Sequence, residues 1–240
     1  MKQRKQSSKP KNNADFKNVI VKKPWGHEYL MYENKDVAVW CLHIKHGAKT
    51  SLHCHPDKKT GLILLSGEAQ VSFMNGSTKL KTLDKLIIRP GLFHSTRAVS
   101  AHGVWTIELE SLPIKTNLVR FDDEYGRIET PYEGISAMTP KDGSCAEIKI
   151  PKTGRSGACE LCGCQLIAEK ITNADALAKR PPQELLLVLE GGLVSKTGDR
   201  VLGPADVINV STFNRLAKTF RLKKSISLLT IKKPPYANKS

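Results

Sequence analysis

The sequence has 240 residues, six cysteines and a formal net charge of +15. Its hydrophobic content of 40% and charged content of 25% are typical of a folded globular protein, which excludes a wholly disordered chain. No run approaches the ~18–20 consecutive apolar residues of a membrane-spanning helix, and the basic start lacks the apolar stretch of a secretory signal. These features predict a cytoplasmic protein whose cysteines are reduced thiols or metal ligands.

The positive charge is concentrated at the two ends of the chain. Residues 1–17 carry six Lys or Arg and one Asp, and residues 220–240 carry six Lys or Arg and no acidic residue. The segment between them is close to balanced, and aromatic residues make up only 6% of the sequence. Nucleic-acid-binding faces usually combine clustered basic residues with a recognisable motif. The charge therefore does not predict nucleic acid as a partner.

The apolar residues predict β-strands. Residues 1–17 contain almost no large apolar side chain and are predicted to be a disordered basic arm. After them, short apolar runs rich in β-branched residues alternate with turn-forming residues, as in all-β proteins. The first half contains five such runs: residues 37–44, 62–65, 69–73, 86–88 and 104–109. The best helical window, residues 173–179, covers only about two turns.

The chain repeats part of its pattern after a linker. Residues 129–144 are rich in Pro and Gly and are the predicted linker. Strand-like runs resume at residues 163–167, 185–189, 207–210 and 226–231. Residues 62–67 parallel residues 186–191, and residues 83–88 parallel residues 204–209. We therefore predict an all-β fold of two tandem barrels, over residues 18–128 and 145–235, followed by a tail at residues 236–240.

One motif carries the ligands of a metal site. His53 and His55 stand at i and i+2, so in a strand both imidazoles face the same side. His94 follows a Pro-Gly pair much later in the chain, where it can complete a set of three. Three neutral imidazoles with open coordination positions suit one divalent transition metal: Zn, Fe, Mn, Ni or Co.

The motif resembles the two-part signature of the cupin superfamily, whose fold is a double-stranded β-helix or jelly roll. The matching residues are Gly47, His53, His55, Gly67, Pro90, Gly91 and His94. A Glu ligand of that family falls at position 60, where this chain has Thr60. Thr60 itself or Asp57 could take the place of that ligand, although Asp57 lies out of phase with the strand.

Residues 22–127 resemble more narrowly the cupin domain of type II phosphomannose isomerases (mannose-6-phosphate isomerases). The resemblance rests on Pro24-Trp25-Gly26 with Glu28-Tyr29, on Ser66-Gly67, and on Val119-Arg120-Phe121 followed by residues 123–127. It implies a metal-dependent isomerisation or epimerisation of a sugar phosphate or nucleotide sugar in carbohydrate metabolism, including polysaccharide biosynthesis. It also implies a homodimer.

The resemblance further implies roles for individual side chains. The metal would polarise the substrate oxygens while a base removes the proton next to the carbonyl. The candidate bases are Glu108, which ranks first, His43 and Glu28. The candidate ligands for a phosphate or carboxylate group of the substrate are Lys58, Lys59 and Arg97.

The second half keeps the strand pattern without the histidines. No His follows residue 102, so this half is predicted to be a degenerate second cupin domain, making the chain a bicupin. Cys159, Cys162 and Cys164 are closely spaced, and Cys145 could join them as a zinc ligand. Structural zinc sites usually pair two such knuckles, so the lone group favours reduced thiols.

Two other functions stay open. A three-histidine iron site also serves dioxygen chemistry, which would make the protein a metal-dependent dioxygenase or a lyase acting on a small organic acid or sugar. The third reading is a non-catalytic sugar- or ligand-binding bicupin, which Thr60 and the second half favour.

Overall fold

The computed structural model describes residues 15–130 and 132–233. The greater part of the predicted basic arm and the tail at residues 236–240 lie outside these residues. Strands dominate the fold, as predicted. In the described residues of the first half they are β1 (Val19–Lys23), β2 (Gly26–Glu33), β3 (Val37–Ile44), β4 (Leu52–Cys54), β5 (Thr60–Ser66), β6 (Glu68–Phe73), β7 (Gly76–Lys81), β8 (Lys85–Ile88), β9 (His94–Ala98), β10 (Val104–Ser111) and β11 (Val119–Asp122).

The rest of the chain contributes eight strands and one α-helix to the described residues. They are β12 (Met138–Pro140), β13 (Gly154–Arg155), β14 (Cys159–Leu161), β15 (Cys164–Ile171), β16 (Leu185–Val194), β17 (Arg200–Leu202), β18 (Val207–Asn209), α1 (Val210–Ala217) and β19 (Arg221–Lys232). Single turns of 3-10 helix lie at Ile135–Ala137 and Ala174–Leu177, the latter inside the predicted helical window.

The first half is built from two sheets that face each other. One sheet runs in the order β12-β1-β2-β3-β10-β5-β8, and the other in the order β11-β4-β9-β6-β7. Inward-facing side chains of both sheets pack together, among them Trp40 and Leu64 from the first and Val71 and Leu80 from the second. Burial of this apolar surface holds the two sheets together. The fold is therefore the predicted all-β jelly roll, and the cavity described below lies between its sheets.

The second half packs on the outside of the first sheet. Its strands form one sheet in the order β13-β15-β19-β16-β17, with β14 on β15 and β18 on β16. Leu187 and Leu229 of this sheet share a buried cluster with Val39 and Ile107 on the outer face of the first. The described residues after 144 thus form a single covering sheet, and the count of two barrels stays a prediction.

Burial on both faces explains the composition of the central strands. In β3, Ala38 and Trp40 face the cavity side, whereas Val39 and Cys41 face the second half. Successive side chains of a strand point to opposite faces. A strand covered on both faces therefore reads as a continuous apolar run, which is what residues 37–44 show.

Helix α1 covers the far face of the second sheet. The Asn209 side chain caps it by accepting a hydrogen bond from the Thr212 N–H (3.0 Å), and Phe213 packs in a buried cluster with Leu177. The sequence predicted a strand at residues 207–210, and the strand ends one residue earlier, where the helix begins.

The predicted linker is partly ordered against the first half. Within residues 129–144, β12 pairs antiparallel with β1, so that Val19 lies opposite Pro140. The domain boundaries remain predictions. In the part of the chain that the structure describes, no helix has the length and apolar character to cross a membrane.

Candidate functional site

Three histidines converge inside the jelly roll. His53 lies in β4, His55 follows the same strand, and His94 begins β9, where it is the ladder partner of His53. The ring centroids of His53 and His94 lie 4.5 Å apart, and those of His53 and His55 5.1 Å apart. One donor atom from each ring lies within 4.8 Å of the other two. The i, i+2 spacing and the pairing of β4 with β9 produce this convergence.

Backbone carbonyls fix which ring nitrogen of each histidine faces the others. The Nδ1 atoms lie 2.8 Å from the Ser51 carbonyl for His53, 2.7 Å from the Asn117 carbonyl for His55, and 2.9 Å from the Leu92 carbonyl for His94. A carbonyl only accepts, so each Nδ1 carries the hydrogen and each Nε2 keeps its lone pair. Such outer hydrogen bonds are usual for metal-ligating histidines.

The charge state of the three rings also suits a metal. Burial lowers the pKa of His94 to about 4, and burial together with the two neighbouring rings lowers the pKa of His53 well below its ordinary value. Burial likewise lowers the pKa of His55. The Nε2 atoms of His55 and His94 are buried without a hydrogen-bond partner among the described residues. Neutral imidazoles with orphaned lone pairs fit a divalent transition metal.

A second group of acids adjoins the histidines. His55, Glu108 and Glu110 also lie with their donor atoms within 4.8 Å of one another. Burial, and next the charge of Glu110, raises the pKa of Glu108 to about 8. Burial alone would raise the pKa of Glu110 too, but Lys115 and Lys58 outweigh it and lower the pKa. The two neighbouring carboxyl groups therefore differ: Glu108 is held neutral and Glu110 is held charged.

Glu28 and Lys115 extend this charged cluster. Lys115 Nζ lies 3.2 Å from Glu28 Oε1 and 3.6 Å above the centre of the Trp40 ring. Burial opposes the charge of Glu28, but Lys115, Lys23 and a hydrogen bond from the Tyr132 hydroxyl prevail and lower the pKa of Glu28 to about 2. Glu28 lies in the cavity as an ion-paired carboxylate.

The structure separates the other predicted site residues. Lys58 is buried, and its Nζ donates to Glu110 Oε2 (3.2 Å). Lys59 turns away and its Nζ lies 2.6 Å from Asp206 Oδ1 in the second half. Arg97 contacts Glu124 (3.2 Å) at the surface. His43 lies on the outer face of its sheet, where it stacks on Trp105 with ring centroids 4.6 Å apart.

Neither predicted replacement for the missing Glu lines the cavity that holds the histidines. Asp57 is exposed and its Oδ2 accepts a hydrogen bond from Asn117 Nδ2 (2.6 Å). Thr60 is 1% exposed, and its hydroxyl has no partner among the described residues. On the ladder, Thr60 lies directly opposite Glu110.

Sequence reasoning did not assign a role to the basic residues of the cavity wall. Lys23, Lys115, Arg120 and Arg127 all line it. Arg120 is the ladder partner of His53, and its Nη1 donates to the Thr130 carbonyl (2.6 Å). Its Nε is buried without a hydrogen-bond partner, and no carboxylate of the described residues forms an ion pair with it. Alternation in β11, with Val119 and Phe121 outward, was the signal that could have placed Arg120 inward.

The cavity between the sheets is narrow. Its volume is about 60 Å³. That space accommodates an ion and the reacting end of a small molecule.

The cysteines form no comparable centre in the described residues. All six are free, and no group of three donor atoms within 4.8 Å includes a cysteine. Cys164 donates to the Leu65 carbonyl (3.4 Å), and Cys54 is buried.

Comparison with known families relates the first half of the chain to one of them. Residues 10–123 match the family model described as "Mannose-6-phosphate isomerase C-terminal". This bears out the narrower resemblance found in residues 22–127. No curated protein matches the chain.

Solved structures with a similar fold are distant in sequence. KdgF from Halomonas sp. is 17% identical with a TM-score of 0.37, over 38% of this chain and 84% of that protein. A Klebsiella pneumoniae protein with a double-stranded β-helix domain is 20% identical with a TM-score of 0.37, over 50% of this chain and 100% of that one. The capsular polysaccharide assembling protein CapF from Staphylococcus aureus is 16% identical with a TM-score of 0.41, over 48% of this chain and 37% of that one.

Proposed function

We propose that the protein is a metal-dependent isomerase or epimerase of a sugar phosphate or nucleotide sugar, because residues 10–123 match the family model described as "Mannose-6-phosphate isomerase C-terminal". The observation that carries the proposal is the convergence of three imidazole Nε2 atoms in a cavity that also holds a neutral buried carboxyl group, Glu108, and the unpaired guanidinium of Arg120.

The three histidines are the proposed ligands of one divalent transition metal: Zn, Fe, Mn, Ni or Co. His53, His55 and His94 would bind it through Nε2, since their Nδ1 atoms are engaged by carbonyls. When bound, such an ion polarises carbonyl and hydroxyl oxygens of the substrate.

Glu108 is the proposed acid–base residue. Its carboxyl group lines the cavity and lies within reach of the histidine group through His55. In an isomerisation, the Glu108 carboxylate would take the proton from the carbon next to the carbonyl while the carbonyl oxygen gains a proton. The carboxylic acid would then return a proton to the former carbonyl carbon as the neighbouring hydroxyl loses its own. In an epimerisation, the proton would return to the same carbon from the opposite face. A pKa raised to about 8 by burial places both protonation states near neutral pH, as general acid–base catalysis requires.

Arg120 is the proposed anchor for the anionic group of the substrate. Lys23, Lys115 and Arg127 are already neutralised by Glu28, Glu133 and Asp123. Arg120 lacks such a partner among the described residues, and a planar guanidinium binds phosphate or carboxylate through paired hydrogen bonds. Of the three residues that the sequence suggested for this role, Lys59 and Arg97 point away from the cavity and Lys58 is engaged by Glu110.

The test combines metal analysis with a substrate panel. The purified protein and its H53A/H55A variant are compared for bound metal and for interconversion of aldose and ketose phosphates and of nucleotide-sugar epimers. We expect one metal per chain, lost in the variant, and substrate-specific proton exchange into solvent deuterium. Absence of metal in both proteins would refute the proposal.

Two other outcomes would point to the remaining functions. Iron with substrate-dependent oxygen uptake would identify a dioxygenase. Tight sugar binding without turnover, unaffected by loss of the metal, would identify a non-catalytic binding protein. The proposal includes the homodimer implied by the family resemblance, which light scattering of the same sample measures directly.

A further inference from the structure

We propose that Glu110 supplies the carboxylate that position 60 lacks, so that the metal is held by His53, His55, His94 and Glu110. The ligand has moved from one strand to its neighbour, from β5 to β10. This inference rests on the proposed metal site and specifies its fourth ligand.

The ladder register brings the two positions together. Glu110 of β10 lies directly opposite Thr60 of β5, and both side chains are almost fully buried, at 1% exposure each. Directly opposite residues in an antiparallel pair have Cβ atoms about 4.5–5.5 Å apart and share a face of the sheet. A glutamate that starts at position 110 is therefore displaced by about one strand spacing, which its side chain can span.

The two carboxylate oxygens of Glu110 have different partners. Oε1 lies 3.8 Å from His55 Nε2, and Oε2 lies 3.2 Å from Lys58 Nζ. Two ligand atoms at about 2.0–2.2 Å from one ion are at most about 4.4 Å apart, so the pair of Oε1 and Nε2 fits a shared ion. Lys58 holds the other oxygen in the way that outer-shell partners hold ligating carboxylates.

The inference includes a small rearrangement. Glu110 forms its close group with His55 and Glu108, and not with His53 and His94. A rotation about the side-chain bonds of Glu110, with Oε2 kept near Lys58, turns Oε1 toward the other two rings.

The other carboxylates near the histidines suit the role less well. Asp57 is exposed and engaged by Asn117. Glu108 lies opposite Leu62, two residues before Glu110 in β10, and so is not beside Thr60. Glu110 is thus the carboxylate of the cavity that is both beside position 60 and directed at a histidine lone pair.

The experiment exchanges the carboxylate between the two strands. Zinc affinity is measured by competition with a chromophoric chelator, and the visible spectrum of the cobalt-loaded protein reports the ligand set. We expect E110Q to weaken zinc binding at least about 10-fold, the size of effect that even outer-shell partners produce, and to change the cobalt spectrum. The double variant T60E/E110Q should recover affinity to within about 3-fold of the original protein. The control E124Q, at a surface carboxylate outside the cavity, should stay within the same margin.

Loss of the Lys58 partner needs its own control. E110Q leaves Lys58 buried without its carboxylate, so circular dichroism and a K58M/E110Q variant separate misfolding from ligand loss. We expect K58M/E110Q to fold and to bind zinc as weakly as E110Q. Unchanged affinity in E110Q, with binding still abolished in H53A, would overturn the inference and leave the proposed metal site intact. Failure of the original protein to bind any metal would instead overturn the proposed function.

Discussion

At the scale of single residues, the cavity combines groups that the chain keeps neutral with groups that it keeps charged. Burial holds the three imidazoles and Glu108 neutral, whereas lysine partners hold Glu28 and Glu110 as carboxylates. Arg120 differs from these groups because no described carboxylate forms an ion pair with it, although the charges of Glu133 and Asp123 reach it, and its Nε is buried without a hydrogen bond. An anion from outside the chain is the partner that would satisfy it.

The Arg120 assignment predicts a selective loss of substrate binding. R120Q should raise KM for a phosphorylated substrate about 10- to 100-fold, because a charge-assisted hydrogen bond pair contributes about 1.5–3 kcal/mol. Bound metal should not change, since Arg120 is not a ligand. Steady-state kinetics and metal analysis of the same sample measure both effects. R97Q is the control, because Arg97 contacts Glu124 at the surface. Equal KM changes in the two variants would contradict the assignment.

The histidine motif could be predicted from the sequence, and Glu108 and Glu28 from the family resemblance, whereas Glu110 and Arg120 could not. His53, His55 and His94 are marked by local spacing and by the Pro-Gly pair, and the structure brings them together. Glu110 and Arg120 enter the cavity only through the pairing of β10 with β5 and of β11 with β4, which joins residues distant in the chain. Register of this kind is not written in a local pattern.

At the scale of elements, buried ion pairs tie strands of the second sheet together. Glu169 of β15 lies 2.6 Å from Arg180 and 3.1 Å from Arg155, and it accepts a hydrogen bond from Thr230 of β19. Burial alone would raise the pKa of Glu169, but Thr230 and the two arginines outweigh it and lower the pKa. One carboxylate thus links four separate segments.

This link predicts a pH-dependent contribution to stability. Because the pKa of Glu169 is lower in the folded than in the unfolded protein, its contribution is complete above about pH 4.3 and is lost as the pH falls through the folded value. At pH 7, E169Q should lower the free energy of unfolding by about 2 kcal/mol, less than the ~3–5 kcal/mol of a fully broken buried pair, because Arg180 keeps Glu184. Urea unfolding between pH 7 and pH 3 measures the difference, which should shrink toward acid.

The control for this prediction is a surface carboxylate. Glu124 pairs with Lys49 and Arg97 but is exposed, so E124Q should change stability little at any pH. A difference between E169Q and the original protein that grows toward acid would contradict the sign of the argument.

The sequence predicted the type of an element correctly where its apolar pattern extended over enough residues. The run at residues 37–44 is β3 because β-branched and aromatic residues fill both faces of a covered strand. Helix α1 escaped prediction because it has only eight residues, so that its packed residues Val210, Phe213 and Leu216 span barely two turns. The Asn209 cap was the local sign of its start.

At the scale of the whole molecule, the two halves share one core. Side chains from the outer face of the first sheet and from the second half belong to the same buried cluster. The repeated sequence pattern predicted related strand arrangements in both halves, but face-to-face packing depends on which sheet faces become buried, and a strand pattern does not specify that.

The shared core predicts that the halves unfold together. Leu187 is fully buried in that cluster, so L187A should lower the free energy of unfolding by about 2–5 kcal/mol. All three tryptophans, Trp25, Trp40 and Trp105, lie in the first half. Their fluorescence should therefore report a lower melting temperature for a substitution made in the second half. V201A, at a site 36% exposed, is the control. An unchanged tryptophan transition in L187A would show that the halves unfold independently.

Lys59 joins the two halves at a sensitive position. Its ion pair with Asp206 (2.6 Å) fixes the short segment that leads from His55, past Lys58, into β5. The second half of the chain therefore helps to position the segment that connects His55 to β5 in the first half. Substitutions at Asp206 should therefore change the affinity of the proposed metal site from outside it, while every candidate ligand stays as it is.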